Sequence, residues 1–397
     1  MKTLCTICLS PVVLAAVSCC AYGIEPVVEK PDAPGNGEIH LFSNTYCPDT
    51  VLPELETEHS VVYMPDGSWS YSHHPSVTCF RGKFYAVFSN GIKGEDEPGQ
   101  RVVMSTSEDF INWSAPEVLL EPEIGDYGNL KILTPGGITV CQDLLTVYYT
   151  ENDNNGVSDT RLSPELYAIV SPDGERWSSP IDIGLAIFPC HRPLKVSGDR
   201  LVMSCNRSTY YTDDPAGLSG WLKSGTASQD QTGYITFEDK RPSLCEGEIL
   251  MHPDGVLYNL FRNSSYDGYL WQSQSNDNGA TWTMPVRSGF SDNNTKSFFY
   301  TLDDGRCLYI GTPDNTAPGS RYPLVLALSY DGFSFDDCYI LSDDRYEQQY
   351  SGRWKGGDYG YPFAYIKDGY AYTVVSRHKE RIDAIKCRIP YNKYQQP

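Results

Sequence analysis

Short runs of apolar residues recur along the chain, and no stretch keeps a helical period over three turns. Four clear runs cover residues 83–89, 144–150, 256–261 and 370–376. Three of these four follow a tight turn that ends in glycine, which is typical of strands joined by hairpins. The pattern therefore predicts an all-β protein built from short antiparallel strands.

A second pattern, Ser-x-Asp followed by an aromatic residue, recurs between these runs. Four copies start at Ser107, Ser171, Ser275 and Ser329, and a degraded copy covers residues 228–237. Its Ser and Asp can bond the local backbone, its Gly can supply a positive φ, and its aromatic side chain can pack into a core. The five serines are 47 to 64 residues apart, which is the spacing of propeller blades. We predict a single β-propeller domain over residues 37–397, with seven blades, or six as the alternative.

Composition agrees with a turn-rich all-β fold, since the 397 residues include 34 Gly, 27 Pro and 13% aromatics. The formal net charge of −20 argues against nucleic acid and anionic membranes as partners. It leaves room for an anionic sugar, because a few convergent arginines can make one pocket locally positive. A closed ring exposes no edge strand that demands a partner, so we expect a monomer.

The first 20 residues read as a secretory signal, with Lys2 before an apolar stretch at residues 12–17. Residues 21–36 then form a flexible leader. Cleavage before Cys19, which would leave that residue lipidated, is the alternative to plain secretion or export to the periplasm. No other apolar run is long enough to span a bilayer. In an oxidising compartment Cys190 and Cys205 could pair across a hairpin.

Two histidine segments carry the candidate chemistry. His73 and His74 stand side by side before a predicted strand, and neighbours on a strand face opposite sides, so we assign His74 to catalysis and His73 to support. His191 and Arg207 lie on a predicted hairpin, where the arginine would keep the histidine neutral as a base and bind a carboxylate. Tyr211 follows closely as a proton donor. Packed or surface side chains are the alternative for each segment.

Several further residues are expected to contact the substrate, chiefly arginines at strand ends in different blades. No Cys/His spacing predicts a metal site, and no cofactor is indicated, although a divalent cation stays open. Glu246 and Glu248 are expected on one face of a strand, where a carboxylate pair could serve a glycosidase. The predicted substrate-binding residues are His73, Asn90, Gln100, Arg101, Arg192, Arg262 and Arg377.

Residues 71–101 resemble the propellers of Bacteroidetes glycan degradation, a group that includes ulvan lyases, rhamnosyl-glucuronate lyases and α-L-rhamnosidases. The resemblance extends to residues 355–361 and 376–380. It implies an exported enzyme that acts on polysaccharides of uronic acid and rhamnose by β-elimination. It also implies that Arg207 binds the uronate, that His74 or His191 abstracts the C5 proton, and that Tyr211 or a histidine protonates the leaving oxygen. The tyrosine of the lyases is replaced here by His191.

Three alternatives stay open. An α-L-rhamnosidase-type hydrolase would centre on the histidine pair. A sialidase would share the Ser-x-Asp turns, with Arg207, Arg262 and Arg377 as an arginine triad and a Tyr–Glu nucleophile pair, but the chain lacks the Phe-Arg-Ile-Pro motif of sialidases. A non-catalytic propeller would bind glycans by aromatic stacking.

Overall fold

The computed structural model describes residues 40–157, 161–206, 208–225 and 242–394. One compact unit covers Pro31–Tyr391. Of the second grouping, Met1–Lys30 with Asn392–Pro397, only residues 392–394 are described. The predicted signal, the leader, Cys19 and Arg207 all lie outside the described residues. No described helix has the length and apolar character to cross a bilayer.

The described residues form strands throughout, with one 3₁₀ turn at Ser197–Asp199. The strands are β1 (Ser43–Asn44), β2 (Thr57–Tyr63), β3 (Tyr71–Phe80), β4 (Lys83–Gly91), β5 (Arg101–Ser107), β6 (Glu117–Leu120), β7 (Ile132–Cys141), β8 (Leu144–Asp153), β9 (Leu162–Ser171), β10 (Ile181–Asp182), β11 (Leu194–Lys195), β12 (Leu201–Ser204), β13 (Thr209–Thr212), β14 (Leu222–Lys223), β15 (Leu244–Met251), β16 (Leu257–Asn263), β17 (Tyr269–Ser275), β18 (Val286–Ser291), β19 (Phe298–Thr301), β20 (Cys307–Gly311), β21 (Leu324–Ser329), β22 (Ser334–Ser342), β23 (Tyr359–Lys367), β24 (Tyr370–Arg377) and β25 (Arg381–Arg388).

These strands pair as successive antiparallel meanders in a propeller-like arrangement. Three four-stranded sheets are consecutive in the chain: β3–β6, β7–β10 and β11–β14. Two further meanders, β15–β18 and β19–β22, are joined into one nine-stranded sheet because β1 pairs in parallel with both β18 and β22. The last sheet has the order β2-β25-β24-β23. The all-β prediction is confirmed, whereas the described strands make six four-stranded units and supply no seventh blade.

The four Ser-x-Asp turns join the third strand of a unit to its fourth. In the first copy, Asp109 Oδ1 accepts the backbone N–H of Ile111 at 2.9 Å and of Asn112 at 2.7 Å. Ser107 Oγ accepts the N–H of Phe110 at 2.9 Å, and the Phe110 ring is fully buried against Phe84. Gly174, Gly279 and Gly332 have φ values of 82°, 83° and 87° in the other copies. The predicted turn chemistry is confirmed.

The first strands of the units form the inner layer, since β3 contacts both β7 and β23, and β19 contacts both β15 and β23. The ring is closed by β2, which pairs with β25 from Thr57↔Cys387 to Tyr63↔Ile382. Between neighbouring units lie the apolar clusters; the largest includes Phe88, Leu326 and Val374. Because strands alternate in direction, loops between second and third strands lie at the end opposite the Ser-x-Asp turns.

Cys190 and Cys205 do not form the cross-link that the sequence left open. The backbone of Pro189 pairs with that of Cys205, so the expected hairpin exists. Cys190 and Cys205 are nevertheless both free and buried, and burial raises the pKa of both thiols well above the usual value. They act as small apolar residues of the interior.

Candidate functional site

Backbone irregularities in the inner strands direct polar side chains to one end of the ring. The pairing register shifts after His73 in β3, after Cys245 in β15 and after Gly360 in β23. At these bulges His74, Glu246 and Tyr361 have φ values of 55°, 50° and 52°. Residues other than glycine enter this left-handed region of φ only when the surrounding structure enforces it, and such backbone strain is concentrated at functional sites.

The three bulge residues line one cavity of about 690 Å³. It lies at the end of the ring opposite the Ser-x-Asp turns, where the loops between second and third strands also contribute. The titratable residues that line it are His74, Glu95, Asp96, Arg161, Cys190, Cys245, Glu246, Arg262, Tyr266, Lys296, Arg321, Lys355, Tyr361 and Lys379.

Tyr361 and Glu246 form the central contact of the cavity. The Tyr361 hydroxyl donates a hydrogen bond to Glu246 Oε1. Arg262 Nη1 lies 2.5 Å from the other carboxylate oxygen and 3.3 Å from the phenol oxygen, while its Nε donates to Asn294 Oδ1 at 2.6 Å. Burial raises the pKa of Glu246, but Arg262 and Lys296 outweigh it and hold the pKa at about 2. The carboxylate is therefore ionised at neutral pH.

Cationic and aromatic groups surround the Tyr361 ring. Lys296 Nζ lies 4.5 Å from the ring centroid, and the guanidinium carbon of Arg321 lies 5.8 Å from it. The His73 ring packs at 4.1 Å. Burial and the charge of Glu246 raise the pKa of Tyr361 well above 10, so the resting phenol keeps its proton. Arg321 Nη1 is buried and has no hydrogen-bond partner among the described residues.

His74 lies between Ser89 and Glu95 at the cavity wall. Its Nδ1 is 3.1 Å from Ser89 Oγ, which is 2.9 Å from the His73 carbonyl oxygen. Its Nε2 is 3.7 Å from Glu95 Oε1. Burial lowers the pKa of His74 to about 3. Lys379 Nζ lies 2.5 Å from Glu95 Oε2 and, against burial, keeps the pKa of that carboxyl low.

The pKa of the neighbouring Asp96 carboxyl shifts in the opposite direction, upward. Burial and the neighbouring charge of Glu95 raise its pKa, although Arg161 forms an ion pair with its Oδ2. Gln100 fixes the loop, because its Oε1 accepts the backbone N–H of Asp96 at 3.2 Å. Glu95 and Asp96 are therefore adjacent carboxyls with opposite pKa shifts, which is how acid and base roles separate.

His73, His74 and Glu95 could in principle hold a metal ion, since one ligand atom from each lies within 4.8 Å of the others. The sequence predicts no such site. Here the charges oppose a divalent ion, because Lys379 pairs with Glu95, and both Lys379 and Arg321 act electrostatically on His73. We therefore assign no chemistry to a metal at this cluster.

Positive charge dominates the cavity of this acidic protein. Six cationic residues line it against three acidic residues, and one of the six, Lys355, has its side chain buried in an ion pair with Glu380. Such a pocket favours an anionic ligand by electrostatic focusing. The cationic residues are Arg161, Arg262, Lys296, Arg321, Lys355 and Lys379.

Of the predicted catalytic residues, Arg207 lies outside the described residues, and among the other three His74 is the one that lines the cavity. His191 is buried away from it, 3.0 Å from Glu248 Oε2 and stacked on Phe363. Tyr211 pairs with Val202 in the β12–β13 hairpin and lies under the Arg200 guanidinium at 4.5 Å.

Among the predicted substrate-binding residues, Arg262 lines the cavity and the others do not. His73 is fully buried, with Nδ1 2.7 Å from Ser376 Oγ. Asn90 bonds Tyr63 and the backbone, and Arg101 stacks on Trp69 at 3.4 Å.

Three more predicted contacts are structural supports. Gln100 donates to the Leu133 carbonyl at 2.9 Å. Arg192 lies over Phe363, 5.6 Å from the ring centroid. Arg377 is buried between two aspartates, at 2.7 Å from Asp358 and 3.1 Å from Asp383.

Sequence reasoning did not select several cavity residues. Tyr361 was not selected because it lies at a bulge, where the alternation of side chains along a strand does not say which way its side chain points. Lys296 and Arg321 lie in loops, where no periodicity marks a residue for the centre of the ring. The loop signal that could have found Glu95 and Asp96 is their acidic cluster before Gln100.

The family model of BNR repeat-like domains matches residues 82–373. The chain belongs to this family. Curated proteins give no match to the sequence. The resemblance to ulvan and rhamnosyl-glucuronate lyases is not confirmed by these comparisons.

Solved structures similar to this BNR repeat-like protein include several sialidases. One sialidase superposes with a TM-score of 0.63 at 17% identity, over 87% of this chain and 35% of its own length. A Trypanosoma rangeli sialidase mutant with trans-sialidase activity gives 0.61 at 13% identity, over 84% and 59% of the two chains. A Dyadobacter fermentans protein of unknown function gives 0.62 at 15%, over 85% and 100%. At such identities the likeness shows the sialidase-like propeller fold.

Proposed function

We propose that this protein is a glycoside hydrolase that removes a terminal anionic sugar from a glycan, with Tyr361 as its nucleophile. The observation that carries the proposal is the hydrogen bond from the Tyr361 hydroxyl to the ionised Glu246, inside a cationic cavity. A phenol is a weak nucleophile at its usual pKa and needs an adjacent base, which Glu246 supplies. The solved sialidases with a similar fold support this class of reaction.

In the first step the Tyr361 oxygen bonds to the anomeric carbon as the bond to the leaving oxygen breaks. Glu246 takes the phenol proton, and Lys296 and Arg262 stabilise the charge that develops on the phenol oxygen. Asp96 gives a proton to the leaving oxygen, a role toward which burial and the charge of Glu95 shift its pKa.

In the second step a water molecule attacks the anomeric carbon, and the bond between that carbon and the Tyr361 oxygen breaks. Asp96, now ionised, takes the proton of this water, and Tyr361 recovers its own proton from Glu246. The product is a free anionic sugar, and the enzyme returns to its resting protonation state.

Recognition of the substrate follows from charge. Arg321 has an unpartnered buried Nη1 and, with Arg262, can bind a carboxylate of the sugar by charge-assisted hydrogen bonds. A neutral sugar would leave Arg321 Nη1 without a charged acceptor. The substrate class is therefore an anionic monosaccharide at a glycan end, with a sialic acid or a uronic acid as the two candidates.

The β-elimination predicted from sequence is the second candidate. One observation favours it: the neutral His74 ring lines the cavity and could accept a proton from a sugar carbon. Hydrolysis at Tyr361 is the preferred reaction because a hydrogen bond already joins the Tyr361 hydroxyl to Glu246, the acceptor of its proton.

The test uses methylumbelliferyl glycosides of N-acetylneuraminate, glucuronate and galactose, with fluorescence for hydrolysis. A polysaccharide with a 4-linked uronate, which carries the leaving group that elimination needs, is tested in parallel by ultraviolet absorbance for an unsaturated uronate. We expect hydrolysis of one anionic glycoside and a loss of roughly 10²–10⁴ in kcat for Tyr361→Phe. Tyr365→Phe, in the same strand outside the cavity, is the matched control.

A mechanism-based probe adds an independent readout. A Trypanosoma rangeli sialidase has been solved as a covalent intermediate with 2,3-difluorosialic acid. We expect the same compound, or its uronic acid equivalent, to leave a covalent mass on the peptide of Tyr361. Full activity in Tyr361→Phe, or an unsaturated product, would overturn the proposed reaction.

A further inference from the structure

A second cavity, of about 290 Å³, lies beside the first. It is formed where the loops of the β15–β18 unit meet those of the β19–β22 unit. Tyr266 lines both cavities, so the two spaces adjoin at this residue. Its side chain is 56% exposed and its φ is 58°, so the loop holds an aromatic ring at the junction in a strained conformation.

The chemistry of the second cavity differs from that of the first. No Lys, Arg or His side chain lines it among the described residues; its polar groups are amides, hydroxyls and carboxyls. Tyr269 forms part of its wall, with the Arg287 guanidinium 3.7 Å from the ring centroid. Neutral polar groups with a fixed aromatic ring suit an uncharged sugar, whose hydroxyls both donate and accept hydrogen bonds.

Asp292 lines the second cavity and carries a buried carboxyl group. It is only 4% exposed, and its Oδ2 accepts the backbone N–H of Asn294 at 2.8 Å. Its Oδ1 has no hydrogen-bond partner among the described residues. A buried acceptor without a partner costs free energy, which a sugar hydroxyl that donates to Oδ1 would recover.

A cation is a poorer occupant than a hydroxyl. Arg262 and Arg321 act on Asp292 electrostatically and oppose further positive charge. Both oxygens of Asp267 are already used, by the Tyr269 amide at 3.2 Å and the Trp271 indole at 2.7 Å. Burial also raises the pKa of Asp292 to about 7, so that its charge is partly lost at neutral pH.

We propose that this second cavity is a subsite for a neutral sugar, the residue to which the cleaved anionic sugar is attached. The proposal rests on the proposed function for the order of the two sugars, but not for the binding itself. The enzyme would then recognise an anionic sugar linked to a neutral one, and a simple aryl glycoside would leave the second cavity empty.

The first test obstructs the cavity from its exposed rim. Thr316 lines it, whereas the neighbouring exposed Ala317 does not, so Thr316→Trp and Ala317→Trp form a matched pair. With a disaccharide substrate that carries a neutral second sugar, Thr316→Trp should raise KM about tenfold. Its KM for the aryl glycoside of the same anionic sugar should stay unchanged, and Ala317→Trp should change neither. Equal effects on both substrates would overturn the proposal.

The second test does not depend on catalysis. Lactose serves as the neutral probe in saturation-transfer NMR with the full protein, and glucuronate as the anionic comparison. We expect lactose contacts that Thr316→Trp abolishes and Ala317→Trp preserves. Lactose binding without hydrolysis of any glycoside would support the subsite and refute the proposed function. Hydrolysis without lactose contacts, together with a KM for the disaccharide that Thr316→Trp leaves unchanged, would refute the subsite alone.

Discussion

Lys355 and Glu380 form an ion pair in which neither side chain has exposed surface, with 2.9 Å between Nζ and Oε2. Lys355 also donates to the carbonyls of Ser70 at 2.6 Å and Tyr350 at 3.0 Å. Glu380 accepts the N–H groups of Gln349 at 2.7 Å and Tyr350 at 3.2 Å. Replacing Lys355 with methionine leaves a buried carboxylate with two backbone donors and no counter-charge. We expect the free energy of unfolding to fall by about 3–5 kcal/mol.

The assay is urea unfolding followed by tryptophan fluorescence at neutral pH. Lys386→Met is the control, because Lys386 pairs with Glu58 at 2.6 Å on the surface, where the two side chains are 22% and 57% exposed. Such a pair contributes up to about 1 kcal/mol. The double variant Lys355→Met with Glu380→Gln removes both charges and should be more stable than Lys355→Met alone. If Lys355→Met and Lys386→Met lowered the free energy of unfolding by the same amount, the argument that burial strengthens the Lys355–Glu380 contribution would be refuted.

Two further outcomes concern Glu246 and the turns. The pKa of Glu246 falls from 4.5 to about 2 on folding because Arg262 and Lys296 outweigh burial, so its contribution is present above pH 4.5 and lost as pH falls through about 2. Glu246→Gln should thus be less stable than wild type at neutral pH by about 3 kcal/mol, and the gap should close in acid; parallel pH–stability curves would contradict this. Gly332 and Gly255 both have positive φ, but a Cβ at Gly332 would lie 2.0 Å from a ring nitrogen of His252, whereas one at Gly255 meets nothing within 4 Å. Gly332→Ala should therefore lose about 1–3 kcal/mol more than Gly255→Ala in the same urea assay, and equal losses would refute the steric argument.

Local signals in the sequence predicted the strands and turns well. The run predicted at 83–89 is β4, Lys83–Gly91, and the run at 370–376 is β24, Tyr370–Arg377. These elements depend on residues close in the chain: alternation sets the strand, and Ser107 with Asp109 sets the turn. The number of four-stranded units was harder to predict from the sequence, because β1 and β2 pair with strands far along the chain.

The candidate site was predicted only in part because alternation fails at a bulge. Glu246 and Glu248 were expected on one face, yet the bulge between them sends Glu246 into the cavity and Glu248 to His191. For His73 and His74 the expected opposite orientations are not found, because the bulge brings both rings to the same side, with 4.5 Å between their centroids. His74 lines the cavity, and His73 lies behind it against Tyr361. Tyr361 meets Glu246 only when the ring closes, and no local pattern reports that contact.

The pairing of β2 with β25 makes the two ends of the ring depend on each other during synthesis. Units such as β3–β6 and β7–β10 are local meanders that can form as soon as their own residues leave the ribosome or a translocation channel. Strand β2 is made early but has no sheet to join until β25 is made, so its final pairing waits for almost the whole of synthesis. Tyr361, in β23, reaches Glu246 at a similarly late stage. A circular permutant that opens the chain between β2 and β3 would place β1 and β2 after β25, so that β2 would be made when its partner strand is already present.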